Sequence, residues 1–448
     1  MTRAFIPPHP PRPSGPVPVW RGFVGERART AVYGWSELAF EKWHIDRNVF
    51  GHRVHILMHP DMVQRVLLDN PGNYEKPKLV KKLLDPVIGR GLLSSDGELC
   101  RAQRRIVAAS FAPPAVDALV PVFADVAHRA AASWRAEPRD MAHEATRATM
   151  QVISRALFSG DPRLTSERAM THIGHALEGV SEARMQLLLG LPMIPFTIRG
   201  VRGRKGQIYL RRTLTKLVHE RLHPGAPDDF VTQMILALHE RFTKEEAVEL
   251  AVDNAATFYL AGHETTANAI SWTLFILSEQ GDWQDRAAAE AVAALASGVD
   301  SGFMDRLPIL RMIVEEVLRL YPSAPRFDRE ALRRDKIGEI DVRPGDLISV
   351  WPWLIHRHRK LWENPDMFDP ERFSPERRKV YHRFQYIPFG GGPRTCVGAR
   401  FAMAEALTIL ACWLSKWRVT PLEGRKVRVS GMVTLRPKGG LPLLVEPR

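Results

Sequence analysis

The run Phe389-Gly390-Gly391-Gly392-Pro393-Arg394-Thr395-Cys396-Val397-Gly398 constrains this chain more than any other stretch. Successive glycines let the backbone approach something flat and bulky and adopt dihedrals that other residues avoid. An apolar helical pattern follows at once, from Gly398 to Leu407. The thiolate of Cys396 then lies at a helix N-terminus, where the dipole and free N–H groups favour an anion over a neutral thiol. Arg394, just before it, can reach an anionic group beside the thiolate. A thiolate on haem iron, with a basic side chain for the haem carboxylates, fits each of these features. The competing reading is a buried structural cysteine ahead of an amphipathic helix.

The spacing of Phe389, Gly392, Arg394, Cys396 and Gly398 resembles the haem-binding loop of the cytochrome P-450 superfamily. The resemblance implies heme b (iron protoporphyrin IX) with Cys396 as its axial ligand. It also implies that Phe389, Arg394 and Gly398 contact the cofactor.

The chain has 448 residues, enough for about three domains by length alone, yet no internal linker separates them. Hydrophobic content of 45% and charged content of 25% are ordinary for a soluble globular protein. A net charge of +13 suits an acidic partner, anionic lipid or haem carboxylates, or simply scattered arginines for solubility. The absence of a basic, aromatic-interleaved module argues against nucleic acid. The 3 cysteines, Cys100, Cys396 and Cys412, form no CxxC, which points to a reducing, cytoplasmic setting. No apolar run follows a charged start, so neither signal peptide nor membrane anchor is expected. Residues 1–20, rich in proline from Pro7 to Pro18, read as an extended surface arm, and residues 21–448 as a single haem domain.

Along the chain, residues 21–45 carry a helical pattern ending near Trp43. His52 to Met58 alternates as a strand, and Asp61 caps a short helix through Leu68. Residues 70–96 read as a long loop with one short helix, followed by a basic helix from Gly97 that stops by Pro113. Helices continue to about residue 190. The apolar loop Leu191–Phe196, followed by Arg199, Arg202, Arg204 and Lys205, reads as a substrate lid, a peripheral membrane contact or a loop tucked on its own core. Thr243-Lys244-Glu245-Glu246 is a capping box opening a helix that reaches Gly281, about 55 Å at 1.5 Å per residue. Glu249, Asp253, His263 and Glu264 interrupt its apolar run, so it does not span a membrane. Mid-helix, Ala261 and Gly262 are small enough to admit a flat ligand, and Glu264 and Thr265 set an acid and a hydroxyl beside it. Leu307-Pro308 opens a further helix that ends before Pro322 and carries Glu316 and Arg319 on one face. Short strands follow at 337–342 and 346–350, and Gly431 to Pro437 reads as a hairpin whose tip lines a pocket.

The superfamily resemblance implies a mainly α fold with a minor β-sheet region. Its long helix would cross the haem at Ala261, with Glu264 and Thr265 relaying protons. It implies a buried network of Glu316, Arg319 and Arg372 that locks the cysteine loop. Phe258, Leu260, Ala324, Arg326 and Met432 would line the substrate pocket. Arg104 and Arg329 would meet the propionates. Cys100 occupies a position where the superfamily has an aromatic or histidine, and a thiol is a weaker donor. Arg326 falls one alternation from Ala324. If it enters the pocket it calls for an anionic substrate; otherwise it reaches water, pairs with Asp328 or serves a propionate. The implied activity is monooxygenation, hydroxylating or epoxidising an apolar or amphipathic small molecule with O2. No GxGxxG unit is present, so a separate ferredoxin or flavodoxin-like protein must supply two electrons. The alternatives are a haem-thiolate isomerase, dehydratase or peroxygenase, and a non-catalytic haem sensor.

Overall fold

The computed structural model describes residues 5–15, 17–18, 25–28, 30–49, 51–188, 197–431 and 433–448. The chain forms two compact units. The first comprises residues 1–74, 123–148 and 264–448, and the second residues 75–122 and 149–263.

The first unit carries the sheets. His44–Val49 and His52–Leu57 form an antiparallel hairpin in which Asp46 faces His55. His52–Leu57 runs parallel to Leu347–Val350, which pairs antiparallel with Phe327–Ala331. A three-stranded sheet joins Glu137–Asp140, Pro442–Pro447 and Trp417–Pro421. The core is built on the helix Ala399–Leu414, which is buried on all sides from Ala404 to its end. Such all-round burial marks an interior helix rather than a surface one. Its Trp413 indole donates to the carbonyl of Ala127 at 3.0 Å and lies 4.9 Å from the Trp134 ring.

The second unit is helical: Lys78–Ile88, Gly97–Ala108, Glu167–Leu188, Ile198–Glu220 and Phe230–His239. Glu167–Leu188 and Ile198–Glu220 touch backbone to backbone, since a Cβ added at Gly179 would come within 2.8 Å of the Gly203 Cα. The helix Lys244–Glu279, 36 residues long, belongs to the second unit up to His263 and to the first from Glu264. Its capping box is formed in both directions. The Glu246 amide donates to Thr243 Oγ1 at 3.3 Å and the Thr243 amide to Glu246 Oε2 at 3.2 Å. No single helix among the described residues is long and apolar enough to cross a membrane.

Several expectations change. Among the described residues, 25–45 hold no α-helix, only the 3-10 turns Gly25–Ala28 and Glu37–Phe40, because backbone amides of the segment go to distant carbonyls, Ala31 to Gly431 and Glu37 to Pro13, each at 3.0 Å. The helix at Asp61 begins at Pro60 and is capped by His59, whose Nδ1 accepts the Asp61 amide at 3.2 Å. Residues 335–342 form a hairpin of two strands, turned at Gly338 with φ +57, not one strand. Among the described residues the proline-rich arm has no regular structure, and it is docked rather than a free surface arm. Pro7 and Pro10 are buried, Tyr321 donates its hydroxyl to the Pro8 carbonyl at 2.6 Å, and Arg12 pairs with Asp366 at 2.6 Å. The 191–196 loop and Met432 lie outside the described residues.

Candidate haem-binding site

The cysteine loop is shaped by its glycines. Gly390 and Gly392 adopt φ of +72 and +68, a region that favours glycine. A Cβ at Gly392 would sit 1.8 Å from the Leu67 carbonyl oxygen, and one at Gly391 would sit 2.6 Å from the Phe384 ring. The turn Gly392–Arg394 closes when the Cys396 amide donates to the Phe389 carbonyl at 2.9 Å. Gly398 caps the following helix. Cys396 is exposed, and Phe389 and Val397 beside it are only half-buried. Arg394 donates to the Tyr74 carbonyl and lies 3.4 Å from that of Pro71, so its guanidinium is already oriented by backbone on one edge.

Cys412 offers the opposite environment. It is buried inside the helix, and burial pushes its thiol up to about 12, so it stays protonated. A metal ligand must be a thiolate. Packing encloses Cys412 on every side, with residues 404–414 all buried, whereas Cys396 stands exposed at the end of the glycine loop, so haem ligation fits Cys396 and not Cys412.

Glu316 and Arg319 form a bidentate pair at 2.7 and 2.8 Å, both wholly buried. Arg372 lies 3.5 Å from the same carboxylate. Arg319 also donates to the carbonyls of His356, Pro365 and Met367 at 2.7, 2.6 and 3.1 Å. His356 continues the chain of contacts, its Nε2 accepting the Ile387 amide at 2.9 Å. The network thus grips residues 356–372 directly and the approach to the cysteine loop through one histidine.

In the central helix, Glu264 and Thr265 are half-buried. Glu264 accepts a hydrogen bond from Thr434 Oγ1 at 2.8 Å and lies 3.8 Å from Arg436. Ser323 Oγ donates to the Thr265 carbonyl at 2.9 Å. Sequence reasoning misses Thr434 and Arg436, because the pairing of the 431–437 segment with Glu264 leaves no local signal. It also misses Glu405, fully buried on the helix after Cys396, where burial raises the carboxyl well above the ordinary range.

The second unit holds the remaining residues of the central helix. Ala261 is exposed although the ten residues before it, 251–260, are all buried. An interrupted core helix of this kind fits a flat ligand lying on it. Gly262 serves a different end than expected, because its Cβ would meet the Ile153 side chain at 2.7 Å; it permits close packing. Phe258 is buried among aromatics, 5.3 Å from Phe111 and 5.1 Å from Phe230, and Leu260 is buried beside it in sequence. Cys100 is buried and Arg104 half-buried on the helix Gly97–Ala108.

In the first unit, Ala324 is half-buried. Arg329 is nearly buried and donates to the Asp328 carbonyl at 2.9 Å. Arg326 lies 3.7 Å from the Asp328 carboxylate and over the Trp351 ring at 5.3 Å. Its charge therefore has a partner within the chain, and the inference of an anionic substrate, which needed an unpartnered arginine, loses its premise.

The mainly α architecture with small sheets and the thiolate-competent loop define a haem-thiolate protein. The sequence profile of Cytochrome P450 matches residues 46–443, and this chain belongs to that family. Cyclooctatin synthase of Streptomyces melanosporofaciens is 31% identical over 407 residues, covering 88% of this chain and 86% of the relative. Cyclooctat-9-en-7-ol 5-monooxygenase of the same organism is 30% identical, again covering 88% and 86%. Cytochrome P450 4F8 of Homo sapiens is 28% identical, covering 87% and 80%. The family assignment makes the protein a haem monooxygenase with a small-molecule substrate and an electron-transfer partner.

Proposed function

We propose that this protein hydroxylates or epoxidises an apolar or amphipathic small molecule, with O2 and two electrons from a separate ferredoxin or flavodoxin-like donor. The exposed Cys396, in a glycine loop at a helix start, carries the reading. Cys396 would hold the haem iron, flanked by Phe389 and Gly398. Arg394 and Arg329 would meet the propionates. When bound, thiolate-ligated haem supplies the iron at which O2 is activated, the thiolate favouring O–O cleavage.

The chain's own part is proton handling and enclosure. Glu264 keeps partial access to solvent, and Thr434 and Arg436 hold its carboxylate in one orientation. From there it takes up a proton and passes it toward the Thr265 hydroxyl, a general-acid role. This acid–hydroxyl pair favours monooxygenation over isomerisation, dehydration or peroxide-driven chemistry, none of which needs it. Ala324 would give the substrate an apolar wall. One relative, by its name, acts on cyclooctat-9-en-7-ol, an unsaturated alcohol, which supports an uncharged substrate here.

A groove of about 350 Å³ in the first unit is lined by Phe389, Met403, Arg311, Arg400 and the ion pair of Arg378 with Glu315. Three arginines against one carboxylate give the groove a net positive lining, which suits an acidic electron donor. The cysteine usage favours a cytoplasmic location.

The test is to titrate the haem-loaded protein with terpenoid alcohols, fatty acids and aromatics, following the haem spectrum. Ligands that shift it are then turned over with ferredoxin and reductase under 18O2. Product carrying one labelled oxygen atom is expected. Conversion without label overturns the monooxygenase reading for an isomerase or dehydratase, and no shift with any class supports a sensor.

A further inference from the structure

The hairpin His44–Val49/His52–Leu57 lies at the outer edge of the first unit's larger sheet. Side chains two apart share a face of a strand, so His44 and Asp46 project together. Asp46 is paired across the ladder with His55, which brings a third ligand-type side chain to that face. His44 Nε2 stands 3.1 Å from His55 Nδ1, and His55 Nδ1 stands 3.6 Å from Asp46 Oδ1. All three ligand atoms fall within 4.8 Å of one another. Donors bound at about 2.0–2.2 Å around a tetrahedral Zn2+ stand roughly 3.4 Å apart. The two separations lie on either side of that value.

We propose that His44, Asp46 and His55 bind one divalent transition-metal ion, Zn2+ by its preference for imidazole with carboxylate. The surroundings supply what such a site needs. His55 is 1% exposed, and its far nitrogen, Nε2, lies 3.3 Å from the Asp346 carboxylate. Asp346 is itself fixed by the Arg343 amide at 2.8 Å. A histidine whose second nitrogen donates to a carboxylate presents its first nitrogen as a lone pair, the arrangement that orients metal-ligating histidines. Arg53 also lies 3.3 Å from Nε2, and a guanidinium can only donate. The ring therefore has two tautomers available, and a bound ion selects the one with Nε2–H on Asp346. Asp46, 61% exposed, leaves an entry path and an open fourth position for water. Asp46 offsets part of the ion's charge directly, while Asp346, which also pairs with Arg53 at 3.6 Å, acts through the His55 ring.

A plain histidine–histidine hydrogen bond accounts for the 3.1 Å contact but gives exposed Asp46 no part. Asp46 therefore distinguishes the two. The haem-loaded protein is stripped with EDTA, then titrated calorimetrically with Zn2+, and bound zinc is counted by elemental analysis. The expected result is one zinc per chain, bound at micromolar or tighter dissociation constant, with a raised melting temperature. His44→Gln and Asp46→Asn should each weaken binding by about tenfold or more while leaving the haem spectrum unchanged. His55 is buried and its variants are prone to misfold, so the test uses the other two residues. Zinc bound equally by wild type and Asp46→Asn, or no binding tighter than millimolar, overturns the site.

Discussion

The backbone N–H of Ile387 donates to His356 Nε2 at 2.9 Å, just before the cysteine loop begins. The carbonyl of the same histidine accepts from Arg319. One buried imidazole thus couples the Glu316–Arg319 pair to the segment carrying Cys396, and it can do so only while Nε2 is unprotonated.

That requirement has a pH signature. Burial, and then the Arg319 cation, depress the His356 pKa from 6.5 to about 3. Between these values the unfolded chain binds a proton that the folded chain refuses, so stability is lost as pH falls through this window. The slope is about 1.4 kcal/mol per pH unit for one proton. His356→Gln retains an acceptor for Ile387 and cannot titrate. Urea unfolding between pH 6 and 4 should show a slope shallower by about one proton in the variant; equal slopes would remove His356 as the cause.

Glu316→Gln leaves the Arg319 guanidinium buried without its carboxylate. Breaking a buried pair of this kind costs about 3–5 kcal/mol. We expect a loss of that order in chemical unfolding, together with poorer haem retention, because Arg319 also ties the carbonyls of His356, Pro365 and Met367. A variant that unfolds at the wild-type denaturant concentration and keeps its haem would show the network to be dispensable.

On the proposed proton path, Thr265→Ala should still consume reductant but divert it to hydrogen peroxide, since it removes the hydroxyl assigned to that path. General acid–base groups contribute about 10²–10⁴ in rate. Thr434→Val, which removes the donor to Glu264, should give a milder version of the same uncoupling. Unchanged product per electron in Thr265→Ala would take this residue out of the proton path.

Reduction by an acidic donor should slow as salt rises, because charges at the docking face are screened over about 8 Å at 0.15 M. Arg400→Glu, at the groove beside the cysteine loop, should slow it further at low salt and flatten the salt dependence. Rates independent of ionic strength in wild type would contradict electrostatic docking at this groove.

What is legible in the sequence is local. The Thr243–Glu246 capping box, the proline-started helix Pro308–Leu320 and the glycine loop each act over a few residues, so their spacing alone dictates their form. Residues joined only by folding are not legible. Thr434 and Glu264 are 170 positions apart, and Arg12 and Asp366 are 354 apart. The strand His44–Val49 lacks an alternating apolar pattern, since its sequence is His-Ile-Asp-Arg-Asn-Val and its pairing comes from the hairpin. Arg326 is ambiguous in sequence for a related reason: period-two alternation puts Ala324, Arg326 and Asp328 on one face, and only geometry shows the arginine turned to Asp328.

The central claim is that Cys396 is the thiolate ligand, and the carbonyl spectrum of the ferrous protein tests it most directly. Cys412→Ala and Cys100→Ala should keep the red-shifted band that marks haem–thiolate. Cys396→His should bind haem yet lose that band. Retention of the band in Cys396→His, or its loss in Cys412→Ala with haem still bound, would contradict the assignment.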